Sequence, residues 1–156
     1  MTKSIDIIKQ ARSNFLQLME GLPIGALNEI PEGFNNNIIW NFGNMIVGQQ
    51  IVCYKMSGVE PKISASIISK YGKGTKPEGF IEWNELEELK ELAVSTIEDF
   101  VVDHEAGIFS NYTAWTSSFG VALSNIQEAA EYIAMHEGLH LGYAMALKRI
   151  VLNEQK

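Results

Sequence analysis

A chain of 156 residues, 46% hydrophobic and 20% charged, is long enough to bury roughly 70% of the surface its unfolded form exposes, with no need of a metal or disulfide merely to fold. Its formal net charge is −7 and its basic residues are scattered, which argues against nucleic acid or an anionic membrane as partner, since both require a concentrated cationic face. No run approaches the ~18 uninterrupted apolar residues of a membrane span, the start MTKSIDIIKQARSNF lacks a secretory pattern, and Cys53 stands alone, so the sequence predicts a cytoplasmic protein without an internal disulfide.

The first predicted helix runs from Ser4, expected as its N-cap, to about Met19, with Ile8, Ala11, Phe15 and Leu18 on one stripe. GLPIG stops it. The second begins near Phe34 or Asn35 and reaches about Met56, before SGVEP breaks it. Its apolar residues go nearly all the way round: Ile38, Phe42, Met45 and Cys53 on some sides, Trp40, Val47 and Ile51 on another. Such a helix is central in the fold, or is covered by a second subunit in a homodimer. Cys53, between Val52 and Tyr54, reads as a small buried hydrophobe, while Gln49 and Gln50 read either as surface amides or as substrate contacts.

Asn84, with Glu87 three residues on, predicts an N-cap and capping box for the third helix, which continues through Leu86, Leu89, Ala93, Ile97 and Phe100. Glu87, Glu88, Lys90 and Glu91 form its solvated face. The fourth helix runs from around Asn125 to about Leu152 and carries Ala129, Ile133, His136, His140, Tyr143, Leu147 and Ile150 at heptad-like spacing. Four amphipathic segments and no convincing alternating strands predict an all-α four-helix bundle in one domain, 1–156. The connection from Ser57 to Glu82 is long enough to cross the bundle, so the second and third helices are expected to run parallel, in up-down-down-up order. SNYTAWTSSFG, Ser110 to Gly120, is rich in aromatics and hydroxyls and is expected to cover one mouth of the bundle.

His136 and His140 occupy core positions one turn apart, so both imidazoles point the same way. Burying two unpartnered imidazoles would cost about 1–3 kcal/mol for each unsatisfied group, which favours a metal or catalytic use over structural histidines. Neutral imidazole suits zinc, nickel, iron or copper, and catalytic zinc sites generally take three protein ligands. His136-Glu137-Gly138-Leu139-His140 formally satisfies the zinc-protease pattern H-E-x-x-H, but no histidine follows to supply the third ligand. A carboxylate-bridged two-metal site would need a second Glu-x-x-His pair, which is absent. Glu137 falls beside the buried stripe and is expected to be exposed or to support a ligand from outside.

NNIIWNFGN on the second helix, together with HEGLHLGYAMALKR on the fourth, resembles the DinB-like (DinB/YfiT) superfamily. That resemblance implies an up-down-down-up bundle in which a histidine of the second helix joins two of the fourth around a divalent metal, usually zinc or nickel. It also implies an enzyme acting on a small-molecule substrate, with a low-molecular-weight thiol as co-substrate in some members, and frequent homodimers. Carried over, His136 and His140 match the metal pair. The position after Trp40 where the family has histidine is Asn44, which lies both on a polar line with Asn37, Asn41 and Gly48 and beside the apolar line of Trp40, Val47 and Ile51. On the resemblance, Asn44 faces inward as a third ligand or as a hydrogen-bond donor to bound water, although an amide oxygen is a poorer and harder donor than imidazole. Tyr143, next along the same face, is the candidate acid or orienting hydroxyl. The expected activity is a metal-dependent, thiol-dependent S-transferase or hydrolase. The competing expectation is a degenerate, metal-free family member that binds a small molecule or partner helix.

Overall fold

The computed structural model describes residues 1–154; the last two residues of the expected domain lie outside the described residues. The regular secondary structure is almost wholly helical. Its long elements are α1 (Thr2–Met19), α3 (Ile38–Gln49), α5 (Trp83–Glu105) and α6 (Ile126–Glu154), with short helices α2 (Ile24–Asn28) and α4 (Ala65–Tyr71) in the connections. Two strands of two residues each, β1 (Trp115–Thr116) and β2 (Ala122–Leu123), pair antiparallel in the α5–α6 connection. Neither they nor the short helices carry enough periodic residues to register in the sequence. Among the described residues, no helix is long and apolar enough to cross a membrane.

Local chemistry places several helix ends differently from expectation. Asn37, not Phe34 or Asn35, starts α3: its side chain accepts from the Trp40 amide, satisfying one of the donors a helix N-terminus leaves free. At α5 the expected box at Asn84 is not used, because the helix already begins at Trp83 with Glu82 at its cap and no side-chain bond there. Ser4 is buried inside the first turn of α1, whose cap is Met1. Helix α6 starts where expected, just after Asn125, whose side chain accepts from the Glu128 amide while the Glu128 carboxylate accepts from the Ser124 amide.

Beyond Gln49 the second predicted helix changes pitch, through a π-helical turn (Gln50–Tyr54) and a 3-10 turn (Lys55–Ser57), ending at Gly58 in the left-handed region. The wider coil rotates the following residues away from a 3.6-residue register. Gln49 and Gln50 are both fully buried, not on the surface: Gln50 donates to the Gln49 side chain and accepts from the Lys62 amide, pinning the start of the long connection. Cys53 is buried as expected, and burial pushes its thiol well above the usual range, so it is unreactive.

Helix α3 packs against α6, α5 and α4, and α1 packs against α6 and α5. The all-round apolar character of α3 is thus accounted for within one chain. Two apolar clusters fill the interior. One contains Phe15, Phe42, Met45, Leu86 and Leu147, the other Ile8, Tyr54, Phe100, Phe109 and Ile133. Each such side chain, fully withdrawn from water, contributes about 1.5–3 kcal/mol. A buried ion pair joins the helices across the interior: Arg12 donates to both Glu137 oxygens, at 2.6 to 3.1 Å, and its remaining nitrogen donates to the Ala93 carbonyl and the Thr96 hydroxyl. Glu137 is therefore neither exposed nor a support for a ligand. It is fully buried, and its guanidinium partner comes from α1.

Candidate metal centre

Two positions of α3, seven residues apart, meet the histidines of α6. Asn41 Oδ1 lies 2.8 Å from His140 Nδ1, and a Cβ at Gly48 would come within 2.6 Å of His136 Cε1. Asn44 lies between them in sequence on the same side of the helix. The absence of a side chain at Gly48 is what lets the His136 ring lie directly on the α3 backbone. The ring is further flanked by Tyr132, one turn earlier on α6, with centroids 6.2 Å apart and planes 24° from parallel. Trp40 meets His140 edge-on at 6.2 Å, and its indole nitrogen donates to the Thr75 hydroxyl.

The hydrogen bonds determine the tautomer of His140. Asn41 Nδ2 donates to Asn36 Oδ1 and to the Asn37 carbonyl, so its Oδ1 is free to accept. His140 Nδ1 must then carry the proton and donate, leaving the Nε2 lone pair directed at His136 Nε2, 3.2 Å away. Burial lowers both pKa values, to about 4 for His136 and, with a contribution from the His136 charge, to about 3 for His140. Both rings are therefore neutral at pH 7, the state in which imidazole binds metals.

Two nitrogens bound to one ion at ~2.0–2.1 Å in tetrahedral geometry lie about 3.3 Å apart. The observed 3.2 Å between the Nε2 atoms is that span, and Asn41 supplies His140 with the outer hydrogen bond that metal-binding histidines ordinarily have. His136 lacks one, as its Nδ1 is buried without a partner. No group of three His, Cys, Asp or Glu is placed to hold an ion among the described residues. Asn44 donates its amide to the Tyr71 carbonyl at 2.7 Å, which leaves Oδ1 as its only donor atom for a metal. That bond depends on Gly43, where a Cβ would overlap the Tyr71 ring. The residues present thus fit a divalent ion held by two imidazoles, with Asn44 on the wall of the same cleft as His136 and further positions open.

His136 and Asn44 both line a cleft of about 290 Å³ bounded by Trp40, Val47, Ile51, Trp115, Phe119 and Tyr132. The stretch from Ser110 to Gly120 covers it, because the β1–β2 turn brings Trp115, Ser118 and Phe119 over α3 and α6. Tyr143 lies elsewhere: it is 37% exposed, its ring is edge-on to Phe34, and it is not part of the cleft wall. A wider, open depression between Asn35 and Phe80 contains neither histidine.

The sequence model of the DinB superfamily matches residues 7–144. The chain belongs to the DinB superfamily. A crystal structure of a "conserved protein of locus" from Enterococcus faecalis has the same fold, with a TM-score of 0.61 over 97% of this chain and 96% of that one, at 13% identity. No curated protein matches this DinB-superfamily chain. Asn41 and Gly48 were visible in the sequence only as members of a polar line; their roles required knowing which side of α3 meets α6.

Proposed function

We propose that this DinB-superfamily chain is a metal-dependent enzyme of the thiol-dependent S-transferase or hydrolase type, working at His136, His140 and Asn44 in a one-domain, up-down-down-up four-helix bundle. The helix directions rest on contacts: Lys148 near the end of α6 donates to the Leu18 carbonyl near the end of α1, whereas Asn41 and Gly48 pair with His140 and His136 in reverse order. The observation that carries the metal reading is the 3.2 Å between the Nε2 atoms of two imidazoles that are both neutral at pH 7. In the metal-free chain His136 Nε2 donates to the His140 lone pair, and with an ion in that place the His136 proton would move to Nδ1.

When bound, a zinc or nickel ion supplies Lewis acidity, lowering the pKa of a water or thiol so that a nucleophile exists near pH 7. The chain's own residues do the rest. Asn41 holds the proton on His140 Nδ1 and so keeps Nε2 available. Gly48 makes room for the His136 ring, which Tyr132 also contacts. Asn44 presents its oxygen while its nitrogen is anchored on α4. The aromatic wall of the cleft gives the approach to His136 an apolar lining.

The test is elemental analysis and titration of untagged protein with zinc and nickel. Near-stoichiometric retention, raised about tenfold or more in affinity by Asn44→His, is the expected result. No retention after extensive loading would favour the second reading, a metal-free bundle that binds a small molecule in the same cleft. The commitment of the Asn44 amide to Tyr71 is the observation on that side.

A further inference from the structure

The cleft beside the histidines has a composition of its own. Four of its walls are aromatic: Trp40, Trp115, Phe119 and Tyr132. Both indole nitrogens are already occupied, Trp40 with Thr75 and Trp115 with the Tyr112 hydroxyl, so the indoles offer apolar ring surface and no free donor. Phe119 is 55% exposed in the β1–β2 turn, where its ring meets Tyr132 at 6.4 Å and still presents apolar surface to the cleft. Among the lining residues Lys73 is the one cation and no carboxylate is present, in a chain whose net charge is −7. Lys73 forms no ion pair among the described residues, unlike Lys62, Lys70 and Lys90.

We propose that this cleft takes a small, flat aromatic monocarboxylate, its ring stacked among the indole, phenyl and phenol walls and its carboxylate on the Lys73 ammonium. A volume of about 290 Å³ lies at the lower end of ligand sites, about 300–1,000 Å³, and suits one or two fused rings. Aromatic walls favour offset or edge-on ring contacts over flexible aliphatic chains. A single lysine with no arginine beside it matches a monoanion better than a phosphate, which is ordinarily held by several donors or a bidentate guanidinium. The proposal deepens the reading of this site by naming its substrate class, and it rests on the cleft being where substrate sits.

Calorimetric titration of 2-naphthoate and of the neutral 2-naphthalenemethanol into the full chain, once freed of metal and once loaded with zinc, tests it. Wild-type protein should prefer the acid in both forms. Lys73→Gln should weaken the acid about fivefold or more, as a charge-assisted contact at a cleft rim implies, and leave the alcohol within about twofold. Phe119→Ala, at an exposed position that does not threaten folding, should weaken both. Equal binding of acid and alcohol, or a preference unaltered in Lys73→Gln, overturns the proposal. So does acid binding that requires zinc and ignores Lys73, since the carboxylate would then be on the ion. Zinc retention without binding of either probe sinks the substrate assignment and leaves the metal reading standing; acid binding without zinc retention does the reverse.

Discussion

Replacing Gly48 by alanine adds one methyl group at the point where α3 touches the His136 ring. The new Cβ would lie 2.6 Å from Cε1, 3.0 Å from Nδ1 and 3.5 Å from Nε2, whereas carbon atoms in ordinary contact sit about 3.5–4.0 Å apart. The ring must therefore retreat by about 1 Å from a position in which it also stacks with Tyr132. Metal–ligand distances tolerate about ±0.2 Å, so a displacement of that size takes His136 out of the pair. Zinc affinity should fall at least about 10–100-fold, the range seen when only an outer partner is lost. Folding should survive: alanine gains up to about 1 kcal/mol of helix propensity over glycine against about 1–3 kcal/mol for overpacking. The net loss of about 0–2 kcal/mol corresponds to at most several degrees in Tm. Gly138→Ala is the control, with nothing within 4 Å of its new Cβ; it should leave zinc binding unchanged and raise stability slightly. Calorimetric zinc titration with circular-dichroism melts reads both quantities. A Gly48→Ala isotherm that superposes on the wild type would refute the assigned geometry.

Asn41→Leu removes the acceptor of the His140 Nδ1 proton, and zinc affinity should drop about 10–100-fold in the same titration. Removing either partner of the Arg12–Glu137 pair strands a buried charge, so Glu137→Leu or Arg12→Met should cost about 3–5 kcal/mol by urea unfolding, while the double variant should recover most of it; additive losses would contradict that account. In metal-free protein, His136 and His140 have folded-state pKa values near 4 and 3, below the unfolded value of about 6.5. Between those limits the unfolded chain binds more protons. Stability should be full above about pH 6.5 and fall toward pH 4, by up to about 1.4 kcal/mol per pH unit for each histidine. Melts in EDTA at pH 7.5 and 5 should show that loss in the wild type and a smaller one in a variant lacking both rings.

The four long helices were legible because each repeats its apolar residues over many turns, as with Ile8, Ala11, Phe15 and Leu18 in α1. The histidine pair was legible for the same reason, four residues being one turn wherever the helix lies. What escaped were features set by other segments. Glu137 sat beside the predicted stripe and is buried because Arg12, 125 residues away, reaches it. Gln50 is buried where the coil widens into a π turn, which a 3.6-residue count does not anticipate, and Gln49, the last residue of α3, is buried with it and accepts from its side chain. Asn41 and Asn44 were indistinguishable as polar residues of one face. Only packing reveals that the first bonds His140 and the second bonds Tyr71. Lys73 and Trp115 lie in the connections between long helices, Trp115 in a strand of two residues, and meet at the cleft through folds of the chain too short to carry a periodic signal.

The most direct measurement is anomalous X-ray scattering at the zinc edge, from crystals of the untagged protein grown with zinc. The account predicts one strong peak about 2 Å from Nε2 of both His136 and His140, on the side open to the cleft. Zinc found only at surface carboxylates, with the two rings still in direct contact, would contradict it.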